Sequence, residues 1–242
     1  RGIEKESLRV SPDGHISQSP HPSALGSALT NPYITTDFSE SLLEFITPVY
    51  SDIDECLEVL ENIHRFTLQN LEHDEMLWVA SMPCPLGTDI EIPIAQYGSS
   101  NIGKMKTLYR HGLSHRYGSL MQSISGLHYN FSMPESFWEP YQIICKHSGS
   151  LQDFQTATYL KLIRNFHRYS WLLIYLFGAS PAACKCFVQG REHGLEEFDE
   201  YSLYLPYASC LRMGNLGYKS EAQKSLFVCY NELDTYVDCL RQ

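Results

Sequence analysis

The chain has 242 residues, of which 43% are hydrophobic and 19% charged, with a formal net charge of −10. That balance belongs to a globular protein, and the acidic excess argues against a nucleic-acid surface. The longest apolar run, residues 171–177, falls short of the ~18 residues a membrane span requires and reads as buried helix.

Residues 1–10 alternate as a strand, and residues 11–14, Ser-Pro-Asp-Gly, form a turn. In that strand Glu4 and Glu6 project side by side from one face, with Ile3 and Lys5 on the other. Carboxylates so close repel unless one keeps a proton or a cation sits between them. Hard oxygen ligands suit magnesium or manganese, and magnesium commonly accompanies phosphate chemistry. The plainer reading is a solvated strand face neutralised by Lys5 and Arg9.

Residues 15–32, rich in Ser, Pro and His, read as loop, and 41–47 as a second strand stopped by Pro48. Asp37 and Glu44 lie in or beside that strand. Ser51 and Asp52 offer caps for a helix running to about residue 72, with Leu57, Leu60, Ile63 and Leu71 on its apolar face. Residues 78–98 read as an irregular excursion with one short strand. A helix over 101–117 carries Lys104, Lys106, Arg110 and Arg116, with Lys104, Lys106 and Arg110 expected on a solvated face.

Residues 120–133 make the strongest strand pattern, placing Gln122, Ile124, Gly126, His128 and Asn130 on one face. A neutral imidazole can complete a mainly carboxylate metal site, and a Gln amide can grip a substrate carboxylate or ammonium. Further helices are predicted near 151–176, 179–189 and 226–240, and 199–218 reads as aromatic loop and strand. Arg212 offers a guanidinium fork for a carboxylate or phosphate, or for a buried ion pair. The eight cysteines are scattered and read as reduced thiols of a cytosolic protein. Cys184 and Cys186 are not a C-x-x-C motif and complete no zinc site, while Cys84 reads as a structural thiol. With no βαβ rhythm and no P-loop, the pattern points to an α+β fold around an antiparallel sheet.

Several stretches together resemble the glutamate–cysteine ligases of proteobacterial type: RGIEKESLRV (1–10), ITTDFSESLLEFITP (34–48), SMPC (81–84), AQYGSSN (95–101), KTLYR (106–110), MQSISGLHYNFS (121–132), YLFGASP (175–181) and YLPYA (204–208). The resemblance implies a glutamine-synthetase-like sheet with flanking helices, incomplete in this chain, and one catalytic domain spanning 1–242. It implies ATP-dependent joining of L-glutamate to L-cysteine, the first step of glutathione synthesis, in the cytoplasm, by an enzyme monomeric at full length. It also implies Mg2+ (or Mn2+), held by Glu4, Glu6, Asp37, Glu44 and His128. Tyr109, Gln122, Arg212 and Tyr218 would bind substrate, with Arg212 also meeting the charge of the reacting groups. Members of the family are about twice as long, so this chain is expected to be an N-terminal half with little activity alone. A related carboxylate–amine ligase with another amine, a non-catalytic nucleotide- or metal-binding fragment, and a metal-dependent hydrolase are the competing expectations.

Overall fold

The computed structural model describes residues 1–83, 92–178, 181–190, 192–211 and 228–241. The chain divides into two compact units, Arg1–Phe131 with Ser180–Tyr218, and Ser132–Ala179 with Lys219–Gln242.

The first unit is organised by β1 (Gly2–Val10), the central strand of an antiparallel sheet. On one edge β1 pairs with β3 (Leu42–Ile46), which pairs in turn with β2 (Ile34–Thr36). On its other edge β1 pairs at its end with β4 (Met76–Leu77) and at its start with β5 (Leu127–Asn130). The period of two then sorts the side chains. Leu43 and Phe45 on one face of β3 pack with Ile34, Leu25 and Ile63, the last from helix α1 (Ile53–Gln69). On the opposite face, Leu8 and Val10 pack with Leu42, Phe38, Ile16 and Ile92. Glu4, Glu6 and Glu44 share that second face at the other end of β1, away from α1.

Helix α1 begins where the cap predicts: Asp52 accepts from the backbone N–H groups of Asp54 (2.8 Å) and Glu55 (3.1 Å). Helix α2 (Asn101–Tyr117) is capped by the Ser100 hydroxyl, which accepts from Gly103 N–H. A second, three-stranded antiparallel sheet has the order β6 (Ala182–Cys184), β8 (Ser202–Tyr204), β7 (Glu196–Glu197). Its core joins Ala183, Phe187, Val188 and Leu203 to Met121 and Ile124.

The second unit is helical: α3 (Glu135–Ile144), α4 (Leu151–Phe177) and α5 (Leu233–Arg241). Aromatic contacts knit α3 to α4, with Trp138 and Tyr159 ring centroids 4.9 Å apart and Tyr141 and Phe154 5.6 Å apart. Among the described residues no helix is long and apolar enough to cross a membrane.

The α+β class around antiparallel strands is as expected, but four local expectations are corrected. Residues 120–123 form a 3-10 turn, so only 127–130 is strand and Gln122 does not share a strand face with His128. Residues 182–188 are a strand and a 3-10 turn where a helix was expected, because pairing with β8 overrides the local preference of Ala-Ala. Helix α3 was not foreseen, since Pro140 inside it argues against a helix. The run 171–177, expected to be buried, leaves Trp171 62% and Phe177 74% exposed.

Candidate metal centre

The acidic cluster is built by strand register. Glu6 lies directly opposite Glu44 across the β1–β3 ladder, and Glu4 directly opposite His128 across the β1–β5 ladder. One ligand atom from each of Glu4, Glu44 and His128 lies within 4.8 Å of the others. Glu4 is held at both oxygens: Asn130 Nδ2 donates to Oε1 at 3.0 Å, and His128 Nδ1 lies 3.2 Å from Oε2. Glu6 is buried and accepts from Gly126 N–H at 2.7 Å, while its own N–H donates to the Gly126 carbonyl at 3.0 Å.

Gly126 is glycine for a reason of space. A Cβ there would stand 2.9 Å from His128 Nε2 and 3.0 Å from Glu6 Oε1. Neither cation proposed to neutralise this face does so. Lys5 Nζ bonds to the Ser7 hydroxyl on the other face of β1. Arg9 is fully buried and paired with Glu75 at 2.7 Å. The charge therefore accumulates: burial, and then the carboxylates of Asp37, Glu6 and Glu4, push Glu44 up from 4.5 to about 7, with His128 opposing. A set of carboxylates plus one imidazole, with excess negative charge at its centre, fits a hard divalent cation.

Asp37 lies on the turn between β2 and β3; it is not among the three residues whose ligand atoms meet, but its charge acts on Glu44. That turn is fixed by side chains that sequence reasoning passed over. Tyr97 Oη donates to the Thr36 carbonyl at 2.7 Å and to the Asp37 carbonyl at 3.2 Å. Arg110 Nε also donates to the Asp37 carbonyl, and its guanidinium lies 4.6 Å from the Tyr97 ring centroid. Arg110, expected on a solvated helix face, is therefore half-buried against the site; the signal was its place beside Tyr109 on a helix following AQYGSSN.

Of the expected substrate residues, Tyr109 lies on α2 and is 64% exposed. Gln122 sits in the 3-10 turn leading to β5, and its buried Nε2 has no hydrogen-bond partner in the described structure. Arg212 and Tyr218 lie outside the described residues, as does Cys84.

Comparison with known proteins gives these geometries a context. The family model described as glutamate–cysteine ligase matches residues 1–242. A glutamate–cysteine ligase of Alcanivorax borkumensis is 58% identical over 240 residues, covering 99% of this chain and 46% of that protein. One from Pseudomonas putida strain W619 is 58% identical over 241 residues, covering 100% and 46%. Among solved structures, a glutamate–cysteine ligase of Francisella tularensis in complex with AMP superposes with TM-score 0.88 at 41% identity, covering 99% of this chain and 46% of that one. A bifunctional glutathione synthetase of Pasteurella multocida gives TM-score 0.82 at 32% identity, covering 99% and 29%. The chain spans about half the length of the curated relatives it matches.

Proposed function

The chain belongs to the glutamate–cysteine ligase family, and from that premise we propose that it carries the cation- and phosphate-handling part of an ATP-dependent ligase in the cytoplasm. The reaction joins the γ-carboxyl of L-glutamate to the amine of L-cysteine through a γ-glutamyl phosphate, releasing ADP and phosphate. The observation that carries this reading is the meeting of Glu4, Glu44 and His128 within 4.8 Å, beside buried Glu6. The AMP in the Francisella relative supports a nucleotide at this fold.

Glu4, Glu6, Asp37, Glu44 and His128 would hold Mg2+ or Mn2+. Such an ion supplies charge neutralisation to the ATP phosphates during phosphoryl transfer. The remaining work belongs to the chain. Asn130 and the Gly126 N–H fix the orientation of Glu4 and Glu6. Tyr97 and Arg110 fix the turn that presents Asp37. The unpartnered Gln122 amide donates to a substrate carboxylate, which removes the cost of leaving a buried N–H unpaired. Tyr109 lines the amine pocket with Tyr218. Arg212 meets the charge that develops on the phosphoryl group or on the tetrahedral oxyanion. Positioning and electrostatics, rather than covalent participation, are the protein's contribution.

The test has two levels. Titration of Mn2+ into this chain should show binding that Glu44→Gln weakens strongly; equal affinity of the two chains removes the metal assignment. In a polypeptide of the relatives' full length carrying this segment, ADP release should require L-glutamate and L-cysteine together. Release indifferent to L-glutamate overturns the ligase reading, and equal use of an unrelated amine assigns the chain to a different carboxylate–amine ligase.

A further inference from the structure

A second reactive group lies outside the acidic cluster, where β6 turns into the 3-10 segment Lys185–Val188. The Sγ atoms of Cys184 and Cys186 are 2.6 Å apart, with the Cys186 thiol donating to Cys184. The backbone N–H of Cys186 also donates to Cys184 Sγ at 3.4 Å, so Cys184 caps the turn. Both residues are half-buried, and neither is joined in a disulfide.

The pair is held from both sides. Cys184 is in register with Ser202 on β8, and the Lys185 N–H donates to the Tyr201 carbonyl at 2.8 Å. Beyond the pair, Phe187 and Val188 are buried in the core beneath this sheet. Cys186 lines an open cavity of about 520 Å3 with His193, Leu195, Glu197 and Leu203. Lys185, between the two cysteines, pairs with Glu197 at 3.0 Å, and both line that cavity. Among the described residues no third Cys, His, Asp or Glu joins the two thiols in a metal-sized cluster. Two thiols in such proximity can pass to a disulfide by two-electron exchange.

We propose that Cys184 and Cys186 form a redox-responsive dithiol that exchanges with a low-molecular-weight disulfide reaching Cys186 through this cavity. Cys186, as thiolate, attacks one sulfur of the small disulfide, whose S–S bond breaks and releases one thiol. Cys184 then attacks the Cys186 sulfur of the mixed disulfide and expels the second thiol. Two protein thiols are oxidised to one disulfide, and the small disulfide is reduced to two thiols by the two electrons and two protons transferred. A bridge across a single intervening residue closes a very short loop, so it constrains little chain and stays easily reduced. The exchange is thus reversible and does not depend on the ligase reading.

The experiment uses the full reduced chain, incubated with hydroxyethyl disulfide, alkylated and digested with trypsin. Trypsin cuts after Lys185 and separates the two cysteines unless they are bonded. The expected result is a joined pair of peptides lighter by two hydrogen atoms, which dithiothreitol separates. In Cys184→Ser the hydroxyethyl group should remain on Cys186, because no second thiol expels it. Exposed Cys145 reports that the oxidant is active. If Cys145 is modified while Cys184 and Cys186 are both alkylated, the assignment is overturned. A persistent mixed disulfide on the unsubstituted chain overturns it equally.

Discussion

Glu4 shows how one side chain is made into a ligand. Its two oxygens are addressed by Asn130 and His128, so its rotamer is set before any ion arrives. Asn130 is not in the ligand set, yet removing it frees Glu4 to turn away. Outer-shell contacts of this kind typically contribute about 10–100-fold in metal affinity, and Asn130→Ala should lose Mn2+ affinity by that factor, measured by calorimetry, with little change in unfolding midpoint. Unaltered affinity would show that Glu4 needs no such support. Gly126 makes a complementary case. The atoms that a new Cβ would meet are the ends of two side chains rather than backbone, so the fold can yield by moving them. Moving them displaces two ligands. Gly126→Ala should therefore cost less than the ~1–3 kcal/mol of a packed-core overfill while weakening Mn2+ binding clearly. A large loss of stability with intact binding would contradict this account.

At the scale of the element, β1 does two jobs with one strand. Its even face carries the carboxylates, and its odd face sends Arg9 into the interior, where Nη1 meets Glu75 and Nη2 donates to the carbonyls of Ser19 and Glu40 at 2.7 and 3.1 Å. These bonds tie β1 to the segment just before β4 and to the loops holding Ser19 and Glu40. Breaking a buried pair from one side costs about 3–5 kcal/mol, because the surviving charge has no solvent. Glu75→Gln should lower the urea midpoint accordingly at unchanged slope, and Arg9→Met with Glu75→Leu should recover much of the loss. The alternation that places Glu4 with Glu6, and the Asp52 cap of α1, were legible because both depend on neighbours within a turn or a strand. What was not legible depended on distant pairing. The Gln122-to-Asn130 face dissolved because residues 120–123 coil into a 3-10 turn. The β6 strand exists because β8 lies beside it. Lys5 and Arg9 looked like counter-charges for the carboxylates from sequence proximity; Lys5 turns to Ser7 on the other face of β1, and the pairing of Arg9 with Glu75, 66 residues away, removes the second.

For the molecule as a whole, the concentration of charge on one sheet face makes stability depend on pH in an unusual direction. Most carboxylates in folded proteins favour folding as they ionise; Glu44 opposes it. Its folded value near 7 stands above the 4.5 of an ordinary glutamate, because burial and then Asp37, Glu6 and Glu4 disfavour its charge. Below pH 4.5 the group is protonated in both states and its contribution is fully present. Between 4.5 and 7 the unfolded chain releases the proton while the folded chain retains it, so the unfolded state binds fewer protons and stability falls as pH rises. Above 7 both states are ionised and the penalty is constant. A divalent cation reverses the balance, since it binds the ionised cluster of the folded chain and must displace the Glu44 proton. Thermal unfolding in chelator should therefore show a midpoint that declines from pH 5 to pH 7.5 more steeply in the unsubstituted chain than in Glu44→Gln. With Mg2+ present the decline should flatten, and calorimetry at pH 6 should detect proton release on binding, disappearing by pH 8. Identical pH profiles for the two chains, with and without Mg2+, would mean that Glu44 ionises freely and that the four carboxylates do not share one field.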